Sequence, residues 1–478
     1  MMKPIMRRGI VAATALLLAG CASVPHDAPQ VTQLKPTALG LAGTAVVSDR
    51  WWDAFGDAQL GRLVDLALTD NPDLAGALAR VRAAQASVEV QHAGQLPQLS
   101  ADTGLQVERF SENYIIPPPY GGHVYSVPSL QANLAWDLDL FGRQRTLVSQ
   151  ARSSERAVEL DAAAARLMIS TAVAQSYASL VQADRQIEIA DRFVTTRQQA
   201  VGYVQSRIRH QLATQFEART AETLLAEAQQ AKVRSSQQRD LAIHAIAALV
   251  GRGADFYPQI ATPTLSLDHP PQVPAVLPAD LLGRRPDLLA GQARIDAAVA
   301  GQHVARTDFL PNVNISALAG LASLGLGSFF ASGSGQVAGG AALHLPIFEG
   351  GRLRAQYRGA TADLDRAVAS YNSSVVTAVR DTADAITNVR AADAALVQQD
   401  RIVGGLRETV RLDAVRTSTG LGSRLDAVDS GFRLLEAEQQ RIDAQANAIS
   451  QRIKLIAALG GGFDARTAMA ANTRGAGL

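Results

Sequence analysis

Residues 136–143 read Trp136-Asp137-Leu138-Asp139-Leu140-Phe141-Gly142-Arg143, and they join two kinds of sequence. Ahead of them Leu130, Ala132, Leu134, Trp136 and Leu138 take every second position, the period of a strand with one apolar face. Behind them, residues 143 to about 209 contain no proline and few glycines, which predicts roughly 95 Å of unbroken helix at 1.5 Å per residue. Upstream, Leu99, Ala101, Thr103, Leu105 and Val107 alternate likewise and predict a partner strand. The intervening loop, residues 112–125, is rich in Pro, Gly and Tyr.

The same grammar returns further along. Leu138-Asp139-Leu140-Phe141-Gly142-Arg143 recurs as Leu345-Pro346-Ile347-Phe348-Glu349-Gly350, followed by Gly351-Arg352. Pro72-Asp73-Leu74 recurs as Pro286-Asp287-Leu288, and Leu96-Pro97-Gln98-Leu99-Ser100 as Leu310-Pro311-Asn312-Val313-Asn314. Leu225-Ala226-Glu227-Ala228 recurs as Leu434-Leu435-Glu436-Ala437, and Ala247-Ala248-Leu249-Val250-Gly251 as Ala457-Ala458-Leu459-Gly460-Gly461. The offsets lie between 206 and 214 residues and keep their order, so the chain is one module written twice.

Each half reads helix, two strands, two very long helices. The first repeat is 21–256, with strands about 97–110 and 125–140 and helices about 143–209 and 212–250. A proline-rich connector, 257–278, follows. The second repeat is 279–462, with strands about 311–324 and 335–348 and helices about 351–418 and 421–459. In it Val313, Ile315, Ala317, Ala319 and Leu321 alternate with polar residues, and Val337, Gly339, Ala341, Leu343 and Leu345 return. The small, polar tail 463–478 is expected to be poorly ordered.

The last helix carries a heptad seam: Leu421, Leu425, Val428, Phe432, Leu435, Gln439, Ile442, Ala446, Ile449, Ile453 and Ile456. Its partner, from Leu353 through Tyr357, Ala360, Leu364, Ala367 and Tyr371, steps the same way. The hairpins break at residues 209–214 and 417–423, where Gly420 and Gly422 give the second turn a permissive backbone.

The first twenty residues are a targeting segment: Lys3, Arg7 and Arg8, then an apolar run at 10–18 too short to span a bilayer. Leu18-Ala19-Gly20-Cys21 resembles the lipobox of bacterial lipoproteins, which implies cleavage before Cys21 and acylation of its thiol. Cys21 is the only cysteine, so an exported chain of this length has no disulfide framework. Ala22 follows, where an aspartate would favour inner-membrane retention in enteric lipoproteins, so the resemblance implies an outward-sorted anchor.

Composition excludes several classes. Lys plus Arg number 45 and Asp plus Glu 44, so no net charge points to nucleic acid. The eight histidines form no H-x-x-x-H pair, no glycine cluster carries the trailing Lys-Ser/Thr of a phosphate loop, and no G-x-S-x-G elbow occurs. No catalytic constellation and no cofactor site beyond the covalent lipid is expected; the chain reads as a non-enzyme. After residue 21 no apolar run reaches about 18 residues, so any membrane crossing must use strands. A spanning sheet must close on itself, and single-chain barrels begin at about eight strands. Some four strands per chain therefore require at least two copies.

The junctions at 136–143 and 345–352, one in each repeat, resemble those of the TolC family of outer-membrane efflux proteins. With the lipobox, the likeness is to its lipoprotein branch, the OprM/NodT-like outer-membrane factors. The resemblance covers nearly the whole mature chain. It implies a mainly α fold with a membrane β-barrel: a homotrimer pooling twelve strands and twelve long helices. It also implies partners, namely a periplasmic adaptor and an inner-membrane transporter of RND type, and a role in antibiotic efflux.

Leu425-Asp426-Ala427-Val428-Asp429 resembles the family's pair of aspartates that ring the closed periplasmic end, which implies a gate at Asp426 and Asp429. At i and i+3 they share a helix face, and three copies place six carboxylates around one entrance. An acidic pair near a helix start is also what the macrodipole favours. Arg416 and Arg424 are candidates to latch neighbouring carboxylates, the other reading being plain surface arginines. Two other functions stay open: a channel for protein secretion, and a non-channel lipoprotein bridging the envelope.

Overall fold

The computed structural model describes residues 27–34, 47–113, 119–268, 271 and 281–463. The signal segment, Cys21, the tail beyond 463 and part of the connector lie outside the described residues. The elements run α1 (Ala58–Asp70), α2 (Pro72–Ala93), β1 (Gln98–Arg109), β2 (Val124–Leu138), α3 (Arg143–Arg209), α4 (Gln215–Leu249), α5 (Pro286–Thr307), β3 (Asn312–Ala322), β4 (Gly335–His344), α6 (Arg352–Ser418) and α7 (Arg424–Ala458). Short 3₁₀ turns and a single helical turn at Leu281–Arg284 complete them. The duplication is metrical: α2 and α5 have 22 residues each, α3 and α6 have 67, and α4 and α7 have 35. Only one helix of each pair is very long.

Glycine makes the strand-to-helix corners. Gly142 has φ +79°, and Gly350 and Gly351 have φ +57° and +88°, backbone that side-chain-bearing residues resist. At the first corner Asp139 accepts from the amides of Gln144 and Arg145, both at 2.9 Å, satisfying orphan donors of α3. β4 ends at His344 instead of 348 because Pro346 has no amide hydrogen for the ladder.

All four strands form one antiparallel sheet in the order β1-β2-β3-β4, with β2 pairing β3 across the repeat boundary. The register puts Leu99 beside Leu134 and Ala317, and Leu130 beside Leu321. It puts Asp102 beside Gln131, and Asp137 beside Asn314. One face is therefore mainly apolar, with Thr103, Ser126 and Arg109 as its polar members, and the other carries most of the polar side chains, tied by Asn133 donating to Asp102 at 2.7 Å and Asn314 donating to Asp137 at 2.7 Å. All of β1 is exposed, and β1 and β4 are open edges.

The chain divides into two compact units. One comprises the sheet with Val81–Val158 and Gly291–Tyr371 and the segment up to Gln33; the other comprises Leu34–Arg80, Glu159–Ala290 and Asn372–Leu478. The second has the larger core, in which Trp51, Trp52 and Phe55 pack with Leu60, Leu63 and Val64 of α1 against α3, α4 and α7. Asp57 anchors this layer: its carboxylate caps α1 at Gln59 and Leu60 and accepts from the Tyr177 hydroxyl at 2.8 Å and the Thr264 amide at 3.0 Å.

The heptad seam needs one correction. Residues 353–371 of α6 do not partner α7; Leu353 and Tyr357 pack with Ala305 and Phe309, and Thr361 accepts from Gln302 of α5 at 2.8 Å. The reason is length: α7, folding back from the turn, reaches only the last half of α6. There Ala385, Ile386 and Val389 meet Leu455 and Leu459, and Arg407 bonds Glu438.

Two helix junctions repeat the symmetry. α4 ends against the start of α2, where Asn71 donates to the Leu249 carbonyl at 2.8 Å, and α7 ends against residues 284–285 before α5, where Arg285 donates to the Ala458 carbonyl at 3.3 Å. Gly251 (φ +71°) and Gly460 (φ +92°) sit where a Cβ would collide with the Asp70 and Arg284 carbonyls. Gly460→Val is expected to destabilise by about 3 kcal/mol or more, from strained φ plus the clash. Gly404→Ala in α6, with nothing within 4 Å, is the control and is expected to be neutral or to gain up to about 1 kcal/mol. Denaturant unfolding of both variants compares them; equal stabilities would refute the junction's role.

Candidate functional site at the two hairpin tips

Each hairpin turns through the same device, written in different residues. In the first tip the Leu212 amide donates to Arg207 O at 2.8 Å, and in the second the Leu421 amide donates to Arg416 O at 2.8 Å. The residue at the sharpest point is Gln211 with φ 61° in one and Gly420 with φ 75° in the other. Gln211 is the only non-glycine with positive φ among the described residues. Gly422 serves differently from the sequence expectation: it needs no left-handed backbone, but a Cβ there would press on Arg416 Cβ at 3.1 Å.

Both helices leaving the turns begin with a reciprocal cap. Thr214 and Glu217 form the first capping box, Ser423 and Asp426 the second. The Asp426 carboxylate accepts from the Ser423 amide at 3.3 Å, while Ser423 Oγ accepts from the Leu425 amide at 3.0 Å. Hydrogen bonds from the Thr214 amide and hydroxyl hold the Glu217 carboxyl below its ordinary pKa, with Arg207 adding to the effect. Glu217 is thus the counterpart of Asp426 in the other repeat, and the Thr-x-x-Glu spacing was the signal that would have found it.

The sequence-predicted residues lie together at the second tip, all exposed. Asp429 pairs with Arg433 at 2.9 Å, an i,i+4 contact. Arg416 pairs with Asp413 at 3.6 Å, and the Arg424 guanidinium lies 5.6 Å from the Tyr203 ring centre. Within one chain, neither arginine bonds Asp426 or Asp429. The seam beside them is buried from Phe432 to Ile456 apart from half-buried Gln439 and Ile442, yet Leu425 is 43% and Leu421 76% exposed, so apolar surface opens towards the tip. No cluster of potential metal ligands occurs among the described residues.

One step above lies a group the sequence reading missed. Arg197 of α3 places its guanidinium 3.3 Å from the Phe432 ring centre, and Phe193 stacks on the same ring at 6.3 Å and 13°. Burial lowers the Arg197 pKa from its ordinary value, against the pull of Glu436, Glu227 and Asp429. Further along, Glu438 of α7 receives Arg192 of α3 at 2.6 Å and Arg407 of α6 at 3.1 Å, joining three helices at one carboxylate.

No helix among the described residues is long and apolar enough to cross a membrane. The apolar sheet face is bounded by aromatic residues. Phe329 and Phe330 lie in the β3–β4 loop, Phe141 and Phe348 at the corners; Phe330 is 84% and Phe348 89% exposed. Such girdles mark the two interfaces of a membrane barrel.

Comparison with known proteins agrees with this architecture. The model of the outer membrane efflux protein family matches residues 63–252 and 277–461, one match in each repeat. The chain is 30% identical to the fusaric acid resistance protein FusA of Burkholderia cepacia, over 96% of this chain and 88% of that one. It is 31% identical to the multidrug resistance outer membrane protein MdtP of Escherichia coli K12, over 94% and 95% respectively. Among solved structures, the outer membrane protein VceC of Vibrio cholerae superposes with a TM-score of 0.80 at 31% identity, covering 87% of this chain and all of that one. With a family model matched along both repeats and a fold shared over 87% of its length, the chain belongs to the outer membrane efflux protein family, the TolC-type channels.

Proposed function

We propose that three copies of this chain form the outer-membrane channel of a tripartite efflux system. The observation that carries the reading is the four-stranded sheet, mainly apolar on one face, richer in polar side chains on the other and open at both edges. In lipid those edges must be paired, and three sheets closed edge to edge leave a polar lumen inside an apolar wall. The channel conducts passively, taking substrate from a periplasmic adaptor and an inner-membrane transporter of RND type. Kinship to proteins named for resistance to fusaric acid and to multiple drugs supports small organic molecules as the cargo, in preference to proteins. A particle carrying the protein mass of three chains in mild detergent is the expected result; a monomer overturns it.

The proposal extends to particular residues. Cys21 carries the acyl anchor. Asp426 and Asp429 line the periplasmic entrance, supported by their exposure on one helix face at a tip. Arg416 and Arg424, whose exposed guanidiniums hold only Asp413 and Tyr203 among the described residues, latch onto a neighbouring copy. Arg416→Ala with Arg424→Ala is then expected to raise resting conductance in planar bilayers. Conductance equal to wild type removes both from the latch.

A further inference from the structure

Beside the second tip, α3, α4 and α7 line a half-open cavity of about 300 Å³. Its wall is apolar, from Val204, Phe216, Leu224, Leu425, Val428 and Phe432. Four charged groups also line it, and three are already engaged. Arg207 lies 3.6 Å from Glu217 and donates to the Leu212 carbonyl at 2.7 Å, and Asp429 is held by Arg433 at 2.9 Å. The fourth is Arg197. Among the described residues no hydrogen bond or ion pair reaches it; Phe432 covers one face of its guanidinium, and Glu436, Glu227 and Asp429 stand beyond ion-pair distance. A guanidinium offers five N–H donors in a rigid fork, suited to a carboxylate or sulfonate. Here the fork is held on a ring at the edge of an apolar groove, with no acceptor on its N–H donors, while Glu436, Glu227 and Asp429 act on its charge only from beyond ion-pair distance.

We propose that this cavity binds a small monoanionic amphiphile, an aromatic or alkyl acid whose anionic group pairs with Arg197 and whose body lies against Leu425, Val428 and Phe432. The volume sets the size: drug-sized ligands occupy about 300–1,000 Å³, so the occupant is at the small end, one substituted ring system. The neighbouring carboxylates exclude dianions by repulsion. Neutral compounds leave the guanidinium unpaired, and a cation finds both lining carboxylates already engaged, Glu217 by Thr214 and Asp429 by Arg433. The inference stands apart from the pore, because binding is read without a membrane or a current; its failure leaves the channel reading untouched.

Equilibrium dialysis of 1-naphthoate against the assembled protein in detergent tests it, with 1-naphthalenemethanol as the neutral match and 1-naphthylmethylamine as the cationic one. Saturable binding of one naphthoate per chain is expected, at least about tenfold tighter than either match, as for a charge-assisted hydrogen bond. Arg197→Met should lower the affinity by a similar factor. Thr220→Trp, which fills the chamber but keeps the arginine, should do the same. Should Arg197→Met fail to assemble, Arg197→Lys decides, since it keeps the charge and loses the fork; a several-fold loss is expected. Absence of saturable binding to wild type, as when a neighbouring copy covers the cavity, overturns the proposal. So does equal binding of the neutral match, or affinity unchanged in Arg197→Met or Arg197→Lys.

Discussion

Replacing Asp426 and Asp429 together by alanine is expected to raise single-channel conductance several-fold and to weaken cation selectivity. The pair lies at the first turns of α7, on one face, with both side chains exposed. In the proposed trimer, three copies would bring six carboxylates to one constriction. A cation about 4 Å from one carboxylate is attracted by about 4 kcal/mol at an effective dielectric near 20. Six such charges hold cations instead of passing them, and conduction needs sites weak enough to leave. Alanine removes the trap and also shortens the side chains that narrow the opening.

The structure adds a complication that the experiment must separate. Asp426 belongs to a capping box, so Asp426→Ala also removes a helix cap, at about 0.5–2 kcal/mol. A frayed tip would widen the entrance without any electrostatic gate. Asp426→Asn retains an acceptor for the Ser423 amide and removes the charge. If charge matters, the asparagine pair loses cation selectivity as fully as the alanine pair. If only the cap matters, the asparagine pair behaves as wild type, and the gate assignment falls. In the Asp429–Arg433 pair the side chains are 63% and 69% exposed respectively, so it adds little to stability while still diluting the local negative charge.

The second large effect concerns the amino terminus. Cys21→Ser is expected to reduce incorporation of labelled palmitate to background, because serine offers no thiolate to the acyl donor. Each buried methylene contributes about 0.8 kcal/mol to membrane partition, so losing two or three chains changes a stable anchor into none. The sheet should persist, since its register uses only residues 98–138 and 312–344. Retained label would refute the lipobox assignment. Lost label with lost β-sheet circular dichroism would instead make the anchor a folding requirement.

Much of this was legible because the decisive features are periodic. Alternation between Leu130 and Leu138 fixed both the strand and its apolar face, since side chains in a strand reverse at every step. Freedom from proline over residues 143–209 gave a helix that the structure places at Arg143–Arg209. Pairing between helices was not legible in the same way. A heptad seam states that a face is apolar without naming what covers it, so Leu353 to Tyr371 were assigned to α7 when α5 is their neighbour. The turn and helix at 51–70 were overlooked, although Leu60, Leu63, Val64 and Ala67 have helical spacing behind the cap residue Asp57. At the tips the aspartates stood out, but Arg197 did not. Its significance rests on Phe432, more than two hundred residues away, and no local pattern carries such a contact.

The most direct measurement is single-channel conductance of the purified protein in planar lipid bilayers, with oligomeric mass determined in the same detergent. A trimer giving small, discrete, cation-selective steps is the expected result. A monomer that gives no conductance would contradict the pooled barrel and leave an envelope-bridging lipoprotein as the better account.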